Sequence, residues 1–169
     1  MPQSYDRIII HTLFSTKYRQ PFIDLEIEPE LHKVICAEFL EFNSKVLEIG
    51  GTDDHVHIIH TLPRTVALCK VLNAVKSISS GWIKTKGEQY EWFGWQDGYT
   101  SLSADYRKLE GLLSYVRKQR DHHGKNSEKL SFRSEQTNIL TKFGYPDFNP
   151  KYQFPDPPEG WGGGSWQSV

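Results

Sequence analysis

Apolar positions along this chain recur in two periods, about two residues and about three and a half, and the alternation between them outlines the fold. Residues 7–14, RIIIHTLF, form a compact run rich in Ile that suits a buried strand. The next stretch, STKYRQPF, is broken by Pro21 and reads as a loop. From about Glu28 to Phe42 the residues Leu31, Val34, Ile35, Phe39 and Phe42 recur at helical spacing, with Pro29 tolerated in the first turn. Two strands follow, about Lys45 to Ile49 and Val56 to Leu62, and the intervening Gly50-Gly51-Thr52-Asp53-Asp54 is a hairpin signal. A helix is predicted from Thr65 to about Lys84, where Leu68, Val71, Leu72, Val75, Ile78 and Trp82 form an apolar stripe opposite Asn73, Lys76, Ser77, Ser80 and Lys84. Tyr99 to Ser103 suits a short strand, Tyr106 to about His122 an amphipathic helix, and Phe132 to Phe143 another.

The resulting order, β-α-β-β-α-β followed by helices, is the ferredoxin-like (RRM-like) plan of the α+β class. It predicts an antiparallel sheet with two helices on one face, additional C-terminal helices, and the other face left available. Residues 1–144 read as one domain. Residues 145–169, rich in Pro, Gly and Trp, read as an extended tail without regular structure. The aromatic cluster Tyr90, Trp92, Phe93 and Trp95 is expected to serve packing or a dimer surface.

Composition narrows the class. A chain of 169 residues can bury enough apolar surface to fold without staples. Cys36 and Cys69 lack the spacing of a zinc ribbon or a disulfide framework and are expected as buried fillers in a reducing cytoplasm. No apolar run approaches the roughly 20 residues needed to span a bilayer, so a cytoplasmic protein with no membrane partner is expected. A net charge of -1 gives no global basic footprint for nucleic acid. The charge is uneven, however. Between His55 and Gly87 lie Arg64, Lys70, Lys76, Lys84 and Lys86 with no acidic residue, so a basic face on a neutral protein is compatible with the sequence. Lys76, Ser77 and Ser80 on a polar helix face, and Lys17 and Arg19 flanking Tyr18 in a loop, are the candidate DNA contacts.

The segment DHVHIIH holds the most specific chemistry. In a strand, His55 and His57 project to one side while Val56, Ile58 and His60 project to the other. Two converging imidazoles are half of a metal site, and Asp54 stands ready either to orient an imidazole or to make the turn. On the helix predicted over 106–122, Tyr115 and Gln119 lie about 40° apart on the helical wheel, and His122 continues their line. If that helix crosses the open sheet face, a hydroxyl and a carboxamide oxygen arrive beside the histidines. His55, His57 and Gln119 would then give a divalent ion three neutral ligands, and Tyr115 a nucleophile against a phosphate. The nitrogen and oxygen donors suit Mn2+ somewhat better than Mg2+, with zinc left open.

DHVHIIH, WQDGYTSLS and LSYVRKQRDHH, in this order, resemble the single-tyrosine HUH transposases, which comprise TnpA-type insertion-sequence enzymes and REP-associated tyrosine transposases. HTLFSTKYRQP also resembles the opening strand and loop of that family, and the likeness runs from about Tyr5 to Gly144. The resemblance implies that residues 1–144 are an HUH transposase catalytic domain working as an intertwined homodimer on hairpin-bearing single-stranded DNA. It implies His55, His57 and Gln119 as ligands of Mg2+ or Mn2+, and Tyr115 as the residue that takes the 5'-phosphate and frees a 3'-hydroxyl. In several members the tyrosine helix completes the partner's site. Thr100 to Asp105 departs from the family's usual small-residue and Phe-containing stretch, and the Trp-rich tail lies outside its motifs. Two other readings fit parts of the pattern: a hairpin-DNA-binding protein that has lost catalysis, and a metal-dependent phosphate-ester hydrolase.

Overall fold

The computed structural model describes residues 3–124, 132–145, 147–149 and 154–161. Its strands are β1 (Ile9–Ser15), β2 (Val46–Gly51), β3 (His55–Thr61) and β4 (Thr100–Ser103), and its helices α1 (Glu28–Glu41), α2 (Leu68–Lys84), α3 (Leu109–Arg117), α4 (Gln119–Gly124) and α5 (Phe132–Lys142). The strands form one antiparallel sheet in the order β2-β3-β1-β4. That is the ferredoxin-like arrangement the periodicity predicts, with the two most buried strands, β1 and β3, at its centre.

Alternation along β3 divides the protein into two layers. Val56 and Ile58 face the main core, with Leu31, Ile35 and Phe39 of α1 and Val71, Leu72, Val75 and Ile83 of α2. Asp24 caps the approach to α1, its Oδ1 accepting from the backbone N–H groups of Glu26 and Ile27 at 2.9 Å each. On the other side Ile59 packs with Ile9 and with Val116 of α3. This second face is therefore covered by α3 and α5, not left open. The apolar stripe Leu109, Leu112, Leu113 and Val116 has the opposite sheet face as its natural burial site, because α1 and α2 already fill the first.

Three further expectations are corrected. The helix predicted over 106–122 is broken: a 3-10 turn spans Tyr106–Lys108, and Lys118, at ψ 14°, interrupts the chain between α3 and α4. Helix α2 starts at Leu68, three residues later than predicted, because Ala67 is extended at ψ 131°. Cys36 is partly buried and Cys69 is exposed, so Cys69 is no core filler. Tyr90, Phe93 and Trp95 are buried and only Trp92 of that cluster is exposed. The described residues of the tail form no helix or strand, yet Phe154 packs with Leu13 and Phe132, and Trp161 against Tyr18 and Phe22. Among the described residues, no helix is long and apolar enough to cross a membrane.

The close approach of α3 to β2 depends on Gly50. A Cβ there would lie 2.0 Å from the carbonyl oxygen of Val116. Gly50→Ala is expected to push α3 off the sheet and cost about 2 kcal/mol or more, measured by urea unfolding; a loss below 0.5 kcal/mol, the usual range for surface changes, would contradict this packing.

His32 of α1 makes the fold acid-sensitive. Burial, together with the positive charge of Arg120, holds its pKa down to about 4. The unfolded chain takes up this proton near pH 6.5, so the stabilising contribution is complete above that pH and is lost as pH falls toward 4. From pH 7 to pH 5 the loss is about 2 kcal/mol. Unfolding of His32→Gln at both pH values should show that much less acid destabilisation; identical losses in both proteins would remove His32 from the account.

Candidate functional site

His55 and His57 leave β3 on the face covered by α3 and α5, and both are buried. Their outer nitrogens converge on one carboxylate, Glu135 of α5: Oε2 lies 3.6 Å from His55 Nε2 and 3.5 Å from His57 Nε2. These separations are long for hydrogen bonds but fit a shared ion, since ligand atoms about 2.1 Å from one metal stand about 3.0–3.4 Å apart. The donor atoms of His55, His57 and Glu135 all fall within 4.8 Å of one another.

The inner ring nitrogens are held from behind. Asp54 Oδ1 lies 2.6 Å from His55 Nδ1, and the Thr52 hydroxyl donates to the same carboxylate oxygen at 2.9 Å. Of the two roles open to Asp54 from sequence, the structure gives it the orienting contact as well as the turn. His57 Nδ1 lies 3.0 Å from His11 Nε2. With Nδ1 protonated and donating to His11, the Nε2 lone pair of His57 points at Glu135. His11 suits this role because burial and the neighbouring His57 lower its pKa to about 3, keeping it an uncharged acceptor at neutral pH. Register makes the pair: His11 on β1 and His57 on β3 sit on one sheet face in adjacent antiparallel strands.

Tyr115 of α3 and Gln119 of α4 reach the same carboxylate despite the break between their helices. The Tyr115 hydroxyl donates to Glu135 Oε1, and Gln119 Nε2 donates to that oxygen at 3.2 Å. Gln119 is 1% exposed, and its Oε1 has no hydrogen-bond partner among the described residues. A buried carbonyl oxygen without a donor is short of positive charge. Burial also pushes the Glu135 carboxyl above the ordinary carboxylate range, a cost that a cation at this point would offset. Both observations fit a cation held by His55, His57 and Glu135, while Gln119 meets that carboxylate through its amide nitrogen and not, as the sequence suggested, through its oxygen. The side chain of His122 lies outside the described residues.

Neighbouring contacts fix the helices. Arg117 binds Glu48 of β2 at 2.6 Å, Arg120 binds Glu28 of α1 at 2.6 Å, and Gln136 of α5 donates to Thr100 of β4 at 2.6 Å. Phe132 stacks on the His55 ring, with centroids 4.4 Å apart. Glu135 is absent from the sequence-level list of candidates. It lies 78 residues beyond His57, and the weak apolar pattern of 132–143 gives no sign of which face meets the histidines; the one available signal is a carboxylate just after Phe132 at the start of a helix.

Four of the five candidate DNA contacts line one groove. Lys17, Lys76, Ser77 and Ser80 border a depression of about 670 Å3 along α2, with Lys84, Trp92 and Trp161. It lies on the α1/α2 side of the sheet, away from the histidines. Lys76 is tied to the carbonyls of Gln96 and Gly98 at 2.6 and 2.7 Å, so it fixes the groove wall. Arg19 is not in the groove; its guanidinium stands 5.7 Å from the centre of the Phe154 ring.

Comparison with known proteins agrees with this architecture. A candidate transposase from Deinococcus radiodurans R1 superposes with a TM-score of 0.56 at 15% identity, covering 69% of this chain and 95% of that one. A REP-associated tyrosine transposase bound to a REP hairpin gives 0.54 at 12% identity, covering 73% of each chain. No curated protein matches. At these identities the structural likeness concerns the fold. The family follows from sequence: the model for "Transposase IS200 like" matches residues 4–119, a span that includes the paired histidines, the tyrosine and the glutamine, and the chain belongs to the IS200-like transposase family.

Proposed function

We propose that this protein cleaves and rejoins single-stranded DNA through Tyr115, with a divalent ion, Mg2+ or Mn2+, held by His55, His57 and Glu135. The observation that carries the reading is the meeting of the Tyr115 hydroxyl, the two histidines and Gln119 on one buried carboxylate. Bound there, the ion would polarise a phosphate oxygen and offset its charge. The chain's own residues do the rest. Glu135 Oε1 accepts the Tyr115 hydrogen bond and is placed to take its proton as the tyrosine oxygen bonds to phosphorus. The bond from phosphorus to the 3'-oxygen breaks, the freed 3'-hydroxyl gains a proton, and the 5'-phosphate stays on Tyr115. A second 3'-hydroxyl reverses the step and releases the tyrosine, so the phosphodiester is conserved without external energy. Asp54 and His11 keep the histidine rings aimed throughout.

The substrate reading is hairpin-bearing single-stranded DNA, supported by the family and by the hairpin in the structural neighbour. The groove along α2 offers lysines and an exposed Trp92 for backbone and base contact. Lys17→Ala with Lys84→Ala is expected to weaken hairpin binding and to lower the slope of log affinity against log salt by about 2, one for each lost phosphate contact. A titration showing an unchanged slope would take the hairpin off this groove. A homodimer is the assembly we propose, on the family resemblance alone, and light scattering of the purified chain tests it. Incubation with Mn2+ and hairpin-bearing strands from DNA flanking the gene tests the whole reading. It should yield a covalent protein–DNA band, whereas a hydrolase would turn over without one and a purely binding protein would shift the DNA without adduct.

A further inference from the structure

A second cavity, of about 690 Å3, opens beside the candidate centre between β4, α3 and α5, and Tyr115 and Glu135 form part of its wall. Leu102 of β4, Leu112 of α3 and Ile139 of α5 give it apolar sides, and Asp105, Lys108, Asn138 and Lys142 are among its polar groups. We propose that this cavity receives one unstacked nucleobase of the DNA strand, that of the nucleotide adjoining the phosphate attacked by Tyr115. The inference rests on the reading of Tyr115 as nucleophile.

Three observations select that occupant. The first is continuity: a base hangs from the sugar next to its phosphate, so a phosphate at the Tyr115 hydroxyl leaves its neighbouring base at the mouth of this cavity. The groove along α2 has no such connection, since none of its lining residues belongs to the centre. The second is the surface. Apolar walls suit the faces of a base, and the exposed carboxamide of Asn138 offers both a donor and an acceptor to its edge. The volume lies within the roughly 300–1,000 Å3 usual for sites that enclose small ligands. The third is charge. Lys108 and Lys142 are exposed at this cavity; of the two carboxylates in its wall, Asp105 is already engaged by the Arg107 side chain at 3.1 Å and its backbone N–H at 3.0 Å, and Glu135 faces the histidines. The two lysines are therefore the groups the mouth offers a phosphodiester.

The pocket supplies what the hairpin groove cannot, recognition of the nucleotide at the cleavage point. It also positions the strand, because a base anchored there limits how its phosphate approaches Tyr115.

The test uses the full chain, Mn2+ and synthetic hairpin-bearing strands from DNA flanking the gene, with an abasic nucleotide placed in turn at each position around the cleavage point. Adduct formation should slow roughly tenfold at one position adjoining the scissile phosphate, while hairpin binding by fluorescence anisotropy stays unchanged. Ile139→Trp, which fills the cavity, should slow the intact strand by a similar factor and add nothing on the abasic strand. Asn138→Ala, at an exposed position, should act in the same direction and guards against misfolding of the bulkier variant. Equal slowing of both strands by Ile139→Trp, or no abasic effect at any adjoining position, would overturn the proposal. So would an Ile139→Trp effect confined to oligomeric state, which would make the cavity a self-association surface. A separate reading needs no chemistry: 2-aminopurine at the sensitive position should change fluorescence on binding Tyr115→Phe protein, and Ile139→Trp should abolish the change. A kept fluorescence change without any wild-type adduct counts against the nucleophile alone; an adduct without that change counts against the pocket alone.

Discussion

Tyr115→Phe is expected to reduce the covalent protein–DNA band by at least about 10^3-fold while leaving hairpin binding within a factor of two or so. The substitution removes one oxygen and nothing else. The ring keeps its place beside His57, whose centroid lies 6.0 Å away, and Glu135 Oε1 keeps the Gln119 amide at 3.2 Å. Folding stability should therefore fall by only about 1 kcal/mol, the usual cost of one hydrogen bond. That separation gives the experiment its power, because a large chemical effect on an intact fold marks a nucleophile and not a structural tyrosine. Denaturing gels of the two proteins with labelled strands provide the measurement. An undiminished adduct in Tyr115→Phe would move the nucleophile elsewhere, and Tyr106 and Tyr99 would be the next residues to replace.

His57→Ala is expected to lower Mn2+ affinity by about 100-fold or more, judged against the 10–100-fold typical for removing an orienting partner alone. The readout is thermal. A ligand at a hundredfold excess over its Kd stabilises the native state by about 2.7 kcal/mol, or about 5–10 °C in a domain of this length. Wild-type protein should show that rise with Mn2+ and His57→Ala about 1–2 °C at most, even though loss of a buried ring lowers its starting Tm. The same measurement ranks the oxygen donors. Glu135→Ala is expected to abolish the rise, and Gln119→Ala to weaken it, because a carboxylate brings charge to a divalent ion and a carboxamide only a dipole. The opposite ranking would restore Gln119 as the principal third ligand. His11→Ala should fall between wild type and His57→Ala, since it frees the His57 ring without removing a donor.

Much of the fold was readable because burial demands are periodic. Leu31, Ile35 and Phe39 recur every turn, and a helix carrying that stripe has few alternatives to packing on a sheet. The strand pairing was readable because Gly50 to Asp54 is short enough to force a hairpin, although in the structure Gly50 and Gly51 extend β2 and the turn is only Thr52 to Asp54. The site was legible where its residues lie close together in sequence: His55 and His57 share a face by strand geometry alone, as the structure shows. Tyr115 and Gln119 do reach one point, but not for the reason their spacing suggests. The helix breaks at Lys118, and the two side chains are brought to Glu135 by separate anchors, Arg117 on Glu48 and Arg120 on Glu28.

The sequence by itself determined the strands, the first two helices, the sheet face of the histidines and the family, because each depends on local spacing or on motifs that lie close together in the chain. Only the tertiary structure decided that α3 and α5 cover the second face, that Glu135 stands opposite His55 and His57, and that His11 and Asp54 hold those rings from behind. These are long-range contacts between half-apolar elements. Their partners are chosen by which surfaces remain after the stronger stripes have packed, and no local pattern encodes that remainder.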